Sequence, residues 1–269
     1  MDGWTDSLLA AKGTVIALWM VVFLLAERLW PAAPRADGGG ATTAAWTRRL
    51  GDPRRLGKNA ALWALNAGLG PILVLPVTVF AAALGPAWRP SEWSGAWALL
   101  VDLVVLDLWI YAWHRVNHEV PLLWRFHRVH HLDNFLDASS AGRFHVGEVA
   151  LSAVVRGAVV AALDVPVAHV LVFETVILAA AIFQHSNLRL PPRLERAMSW
   201  VVVTPSIHWM HHHAVRADTD SSYATILSVW DRLFGTRAAN ARRPDQPIGL
   251  DGARDPSLGA LLLVPFRRD

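Results

Sequence analysis

Residues 101–131 read VDLVVLDLWIYAWHRVNHEVPLLWRFHRVHH. An apolar run whose only charges are Asp102 and Asp107 passes without a break into His114 and His118, and then into His127, His130 and His131. A third set, His208, His211 and His212, follows in the last third of the chain. In a helix, positions i, i+3 and i+4 share one face, so each set would aim two or three imidazoles at one point. The three sets hold eight of the twelve histidines. Imidazole is the commonest metal ligand at neutral pH. Eight aimed nitrogens exceed the needs of one ion and suit two.

The rest of the chain reads as a membrane protein. Of its 269 residues, 54% are hydrophobic and 17% charged, against a usual charged fraction of about 25%, and the mean hydropathy is +0.31. Fourteen tryptophans stand against two tyrosines. Many of them (Trp30, Trp63, Trp88, Trp93, Trp113, Trp124) flank apolar runs, as in an interfacial aromatic belt. A net charge of +3 is too small to point to nucleic acid, and a bilayer surface is the better partner for the arginines. The absence of cysteine excludes disulfides, thiolate zinc sites and cysteine-ligated iron–sulfur clusters. Asp2 and Asp6, and a first apolar run without a small-residue cleavage site, argue against a cleaved signal peptide.

Apolar segments lie at residues 8–26, 59–88 and 93–113, and two shorter arms follow at 149–163 and 165–183. The expected fold is therefore all-α and integral to the membrane. It has about three spanning helices plus a helical hairpin, and a helical cap that carries the histidine sets. Expected divisions are an N-terminal membrane region (1–92), a catalytic domain (93–240) and a C-terminal tail (241–269), loosely structured apart from a short apolar stretch at 258–264. Gly38, Gly39 and Gly40 mark a flexible loop, and residues 194–203 suit a short interfacial helix. The first loop is basic (Arg35, Arg48, Arg49, Arg54, Arg55, Lys58), whereas the second carries Arg89 alone. The positive-inside rule then puts the first loop, the end of the third segment and the cap in the cytoplasm. Arg115, Arg125, Arg128 and Arg143 agree with that side. Arg156 and Glu174 each lie nine residues from Val165 on opposite arms of the hairpin. Charges inside a membrane are costly unless paired, so the two are expected to touch.

Reading back from His118 and His114 along one helical face reaches Tyr111 and Asp107, the candidate catalytic residues. Asp107 suits the carboxylate that accepts the outer N–H of a metal-bound histidine, and Asp102, off this stripe, reads as structural. His185 ends the second hairpin arm in Gln184-His185-Ser186-Asn187 and is a further candidate ligand. So is His145, in Arg143-Phe144-His145. His169 reads as a packed or hydrogen-bonded histidine, and His213 as exposed. All-nitrogen sites suit zinc, iron or copper. The His-Glu-x-x-His pattern of zinc hydrolases is absent, and a zinc-dependent membrane hydrolase would have only Glu119 or Glu148 as its base. A metal-binding membrane protein or transporter would carry its ligands near mid-membrane, whereas these lie at segment ends. Iron in its ferrous and ferric forms, acting on O2, fits best.

These residues resemble the sterol desaturase / fatty acid hydroxylase superfamily of membrane-bound, histidine-rich, non-haem diiron oxygenases. The resemblance runs over residues 106–236. It rests on Asp107, Tyr111-x-x-His114-Arg115-x-x-His118, Trp124-Arg125-Phe126-His127-Arg128-x-His130-His131, Arg143-Phe144-His145, Gln184-His185-Ser186-Asn187, His208-x-x-His211-His212 and Trp230-Asp231-Arg232-Leu233-Phe234-Gly235-Thr236. Two positions depart from the family pattern: Val146 stands where proline is usual, and Ala112 splits Tyr111 from Trp113. The resemblance implies two irons in a cytoplasmic cap, O2 as cosubstrate, and hydroxylation or desaturation of a lipid C–H bond. It also implies a separate electron donor, whether cytochrome b5-like, ferredoxin or reductase, and a cap closed by residues 230–236.

Overall fold

The computed structural model describes residues 3–34 and 52–267, with side chains from Ser7 onward. The glycine loop and Arg35, Arg48 and Arg49 lie outside the described residues. Among the described residues, five stretches are helical, long and apolar enough to cross a membrane. The first is α1 (Gly3–Leu29). The second begins as α2 (Pro53–Leu69), capped by Asp52, whose side chain accepts from the Arg54 N–H. Pro71 has no N–H to continue the ladder. The chain answers with a π-turn at Gly70–Val74 and runs on as α3 (Leu75–Ala83). The third is α4 (Gly95–Glu119). After α5 (Pro121–His131) come the hairpin arms α6 (Val146–Leu163) and α7 (Val167–His185). Asp164 turns the hairpin in the left-handed conformation, φ 53°, and Pro166 starts the returning arm.

The C-terminal ends of α1, α4 and α7 and the N-terminal end of α6 meet at one end of the bundle. There the antiparallel bridge Pro31–Leu188 ties the exits of α1 and α7 together. The cap at that end is built from α5, the turn Ala138–Gly142 and the short helices α8 (Pro192–Met198), α9 (Pro205–His211), α10 (Arg216–Thr219), α11 (Val229–Leu233) and α12 (Leu258–Leu263). Among the described residues there is no strand, only isolated bridges. The expected helix over 194–203 is shorter, ending at Met198, because Val202 bridges to Leu227 instead. The apolar stretch of the tail docks as α12: Leu261 is fully buried with Leu62 and Val129, and Val264 packs with them.

Under the cap lies a polar network that the first third of the chain supplies. Arg55 reaches Asp133 (2.5 Å), Asp137 (2.8 Å), Ser140 (2.8 Å) and the Phe135 carbonyl (2.7 Å). Arg143 reaches Asn59 (2.9 Å), the Val129 carbonyl (3.1 Å) and Asp255 (2.5 Å). Glu27 accepts from the backbone N–H groups of Ala138 (3.0 Å) and Asn187 (2.9 Å). All three charged side chains are buried. Arg55 and Arg143 are therefore not the solvated charges that a side-of-membrane count assumes. Gly142 allows the close approach of α2, because a Cβ there would stand 2.1 Å from the Trp63 ring.

Inside the bundle, Glu174 of α7 accepts from Arg156 of α6 (2.5 Å), the expected pair. It also accepts from Lys12 of α1 (2.5 Å), so one carboxylate neutralises two cations from two neighbouring helices. Asp102 pairs with Arg89 through two 2.8 Å contacts and with His169 at 2.6 Å, which accounts for both as structural. Removing one member of a buried pair leaves an unpaired charge and costs about 3–5 kcal/mol. Glu174→Gln is expected to lower the melting temperature in detergent sharply. The triple change Lys12→Leu, Arg156→Met, Glu174→Leu is expected to recover most of that loss. A Glu174→Gln protein as stable as the parent would show that the triad holds nothing together.

Candidate metal centre

Three helical i, i+4 pairs dominate the end of the bundle: His114 with His118 on α4, His127 with His131 on α5, and His208 with His212 at the end of α9. The pairs do not converge on one point. His114, His118, His127 and His131 gather with His211, while His208 and His212 gather with His130 and His185. Each group offers ring nitrogens that all lie within 4.8 Å of one another. The two His-x-x-His-His sets thus split between the groups, an i, i+4 pair facing one and the remaining histidine facing the other. α5 and α9 are thereby locked together across both sites. Eight of the nine histidines are buried, and His114 is partly so.

Four of the five histidines in the first group have an outer nitrogen occupied. His114 Nδ1 donates to the Tyr223 carbonyl (2.8 Å) and His211 Nδ1 to the Ser221 carbonyl (2.7 Å). His127 Nδ1 donates to Glu148 Oε1 (2.7 Å), and His118 Nδ1 lies 3.2 Å from Asp220 Oδ1. In the second group His185 Nδ1 donates to the Ala181 carbonyl (2.7 Å). A carbonyl or carboxylate only accepts, so each of these imidazoles carries its proton on Nδ1 and turns an Nε2 lone pair inward. The Nε2 atoms of His114 and His127 then face each other at 3.2 Å as two acceptors, which repel.

The residues fit a metal on two counts. His118 Nε2, His211 Nε2 and both ring nitrogens of His131 are buried with no hydrogen-bond partner, an arrangement native proteins avoid. In the second group, Nε2 of His185 stands 3.0 Å from that of His130 and 2.9 Å from that of His208, which is 3.1 Å from that of His212. Two ligands at right angles on one ion, each bonded at about 2.1 Å, stand about 3.0 Å apart. Burial first, and the neighbouring histidines second, hold His130, His131, His208 and His212 well below the ordinary imidazole value. Burial takes His211 to about 3. Neutral imidazoles are the form a metal requires.

Other residues stand apart from both groups. His145 lies outside them, with both ring nitrogens in use. Nδ1 accepts from the Gly147 N–H (2.9 Å), capping α6, and Nε2 donates to the Leu262 carbonyl (3.1 Å). Asp107 meets no histidine. Seven residues before His114, it sits about 10 Å lower along the helix. There it accepts from the backbone N–H of Ile226 (3.2 Å) and Leu227 (3.0 Å) and from the Trp230 indole (2.8 Å). Tyr111 bonds Thr236 Oγ1 (2.9 Å) and stacks on Phe234. Both residues fasten the 223–236 segment, whose Tyr223 carbonyl orients His114. His213 is not exposed but buried against Asp218 (2.7 Å). The carboxylate expected of Asp107 is instead Glu148, three residues after His145, together with Asp220. Glu148 follows a motif histidine at helical spacing, a signal that could have found it, whereas Asp220 carried none.

A family model described as fatty acid hydroxylase matches residues 99–236, just over half of the chain and all of both histidine groups. The chain belongs to the fatty acid hydroxylase family. Among curated proteins, the ornithine lipid hydroxylase OlsE of Rhizobium tropici is 28% identical over 74% of this chain and 59% of its own length. The alkylglycerol monooxygenase of Danio rerio is 32% identical over 54% of this chain and 32% of its own. The cholesterol 25-hydroxylase of Rattus norvegicus is 29% identical over 61% of this chain and 56% of its own. The match therefore spans from a third to three fifths of these relatives. No solved structure matches.

As a fatty acid hydroxylase family member, the chain separates His145 from His185 in a testable way. His145→Ala is expected to keep the metal content of the parent and to lose about 1 kcal/mol of stability, the usual cost of a lost helix cap. His185→Ala is expected to lose close to one metal equivalent per chain. Metal analysis by plasma mass spectrometry alongside thermal unfolding checks both, and loss of metal from His145→Ala alone would reverse the assignment.

Proposed function

We propose that this chain is a membrane-bound diiron oxygenase that hydroxylates a C–H bond of a lipid with O2 and two electrons from a separate donor protein. The observation that carries it is the division of nine imidazoles into two adjacent groups, of five and four, whose ring nitrogens lie within 4.8 Å of one another in each group. Three relatives named as lipid hydroxylases or monooxygenases support hydroxylation over desaturation. Bound iron would supply O2 activation and the change of oxidation state; the reaction consumes R–H, O2, two electrons and two protons and yields R–OH and water.

The protein's own part is to hold, orient and exclude. His114, His118, His127, His131 and His211 would hold one ion, and His130, His185, His208 and His212 the other. Glu148, Asp220 and the Tyr223, Ser221 and Ala181 carbonyls fix ring orientation and tautomer. Phe144 stacks on His130 with ring centres 4.3 Å apart, and Trp124 covers His118 and His131, so aromatic faces keep water from both groups. Tyr223 lies against His114, His118 and His211, and burial raises its pKa, so it stays a phenol that keeps its proton. Both groups sit at the ends of α4 and α7 rather than at mid-span, which suits a substrate that enters from the lipid. Exposed Arg54, Arg125 and Arg193 at this end support a cytoplasmic cap.

Cells expressing the chain under 18O2 are expected to accumulate a lipid heavier by one labelled oxygen. The species is expected to vanish with His211→Ala while the protein level holds. A product lighter by two hydrogens would mean desaturation. Unlabelled oxygen in the product, or full activity in His211→Ala, would contradict the proposal.

A further inference from the structure

We propose that Trp124 is where electrons enter the metal centre, and that the surface around it receives the one-electron carrier protein. The proposal deepens the diiron reading and rests on it. The Trp124 ring centre lies 4.9 Å from that of His118 and 5.3 Å from that of His131, both in the five-histidine group. On the indole, 4.4 Å from the ring centre, lies the Arg216 guanidinium, whose side chain is 53% exposed. Solvent, guanidinium, indole and ligand imidazole thus follow one another in van der Waals succession. The other non-histidine rings in contact with cluster histidines, Phe144 and Tyr223, carry no such exposed charge among the described residues, and Tyr223 is buried.

A second route starts at the same place. Arg216 Nε bonds Asp220 Oδ2 at 2.5 Å, and Asp220 Oδ1 lies 3.2 Å from His118 Nδ1. Surface, guanidinium, carboxylate and imidazole are linked by hydrogen bonds, so both routes meet at His118. A cation over the indole face also disfavours removal of an electron from the ring. Trp124 therefore passes electrons inward without itself being oxidised. The surrounding surface is aqueous in character: exposed Arg125, and Arg115 paired with Glu119 at 2.7 Å, both partners well exposed. The carrier gives up one electron on each visit and leaves oxidised. Each electron would reduce one bound ferric ion to ferrous, two visits would serve one hydroxylation, and no proton would pass through the indole.

The chain has no cysteine, so Arg216→Cys and Arg243→Cys each create one attachment point for a ruthenium photoreductant. Arg243 is exposed elsewhere on the cap. In iron-loaded, ferric, full-length protein, a laser flash is expected to bleach the ferric signal at least tenfold faster from position 216 than from 243. Adding Trp124→Leu to the 216-labelled protein is expected to slow reduction at least fivefold at unchanged iron content, and Trp124→Phe to restore most of the rate. Equal rates from the two labels, or no slowing in Trp124→Leu at full iron content, would overturn the proposal with the diiron reading intact. A protein with no ferric signal before the flash would overturn that reading, and this proposal with it.

Discussion

Two imidazole lone pairs cannot face each other at 3.2 Å in a dry interior unless something positive lies between them. His114 and His127 do face each other so, because the Tyr223 carbonyl and Glu148 each demand the proton on the far nitrogen. In the second group the Ala181 carbonyl fixes the tautomer of His185, whose Nε2 lone pair faces the Nε2 atoms of both His130 and His208. A buried polar nitrogen without a partner costs about 1–3 kcal/mol, and several of them approach the whole stability of a domain, about 5–15 kcal/mol. A metal bound among them would return that free energy as folding free energy. The ends of α4, α5, α7 and α9 are placed to serve this constraint.

The surroundings are built to bear it. Glu27, Arg55 and Arg143 are buried charges that clamp α1 and α2 to the loops on either side of the histidine-bearing elements. Each is fully hydrogen-bonded or ion-paired, the condition for a charge to be tolerated away from water. Asp107, Tyr111 and Asp231 do the same for the 223–236 segment, Asp231 accepting from the backbone N–H of Tyr223 and Ala224. Two layers therefore stand between the membrane bundle and the imidazoles: direct acceptors that set the tautomer, and buried ion pairs that set where those acceptors lie.

Much of this was legible in the chain because helical spacing is a strong constraint. The i, i+4 pairs announce shared faces, the hairpin arms announce their own turn, and two charges equidistant from it announce the Arg156–Glu174 contact. Lys12, the third member, is not legible in this way, since nothing local tells which helix α1 will lie against. The division of each His-x-x-His-His set between two groups was also hidden, because it depends on how α5 crosses α9. His145 and Asp107 misled for a common reason: motif membership shows that a residue is needed, not for what. One caps a helix and the other anchors a loop. Arg55 and Arg143 read only as charges that mark a membrane side, because the carboxylates they hydrogen-bond, Asp133 and Asp255, lie more than seventy residues away.

The nine histidines would hold two separate ions. Anomalous diffraction from iron-loaded crystals, recorded on both sides of the iron absorption edge, tests it most directly. Two iron peaks are expected, one among His114, His118, His127, His131 and His211 and one among His130, His185, His208 and His212. A single peak, or an iron bound at His145, would contradict the account.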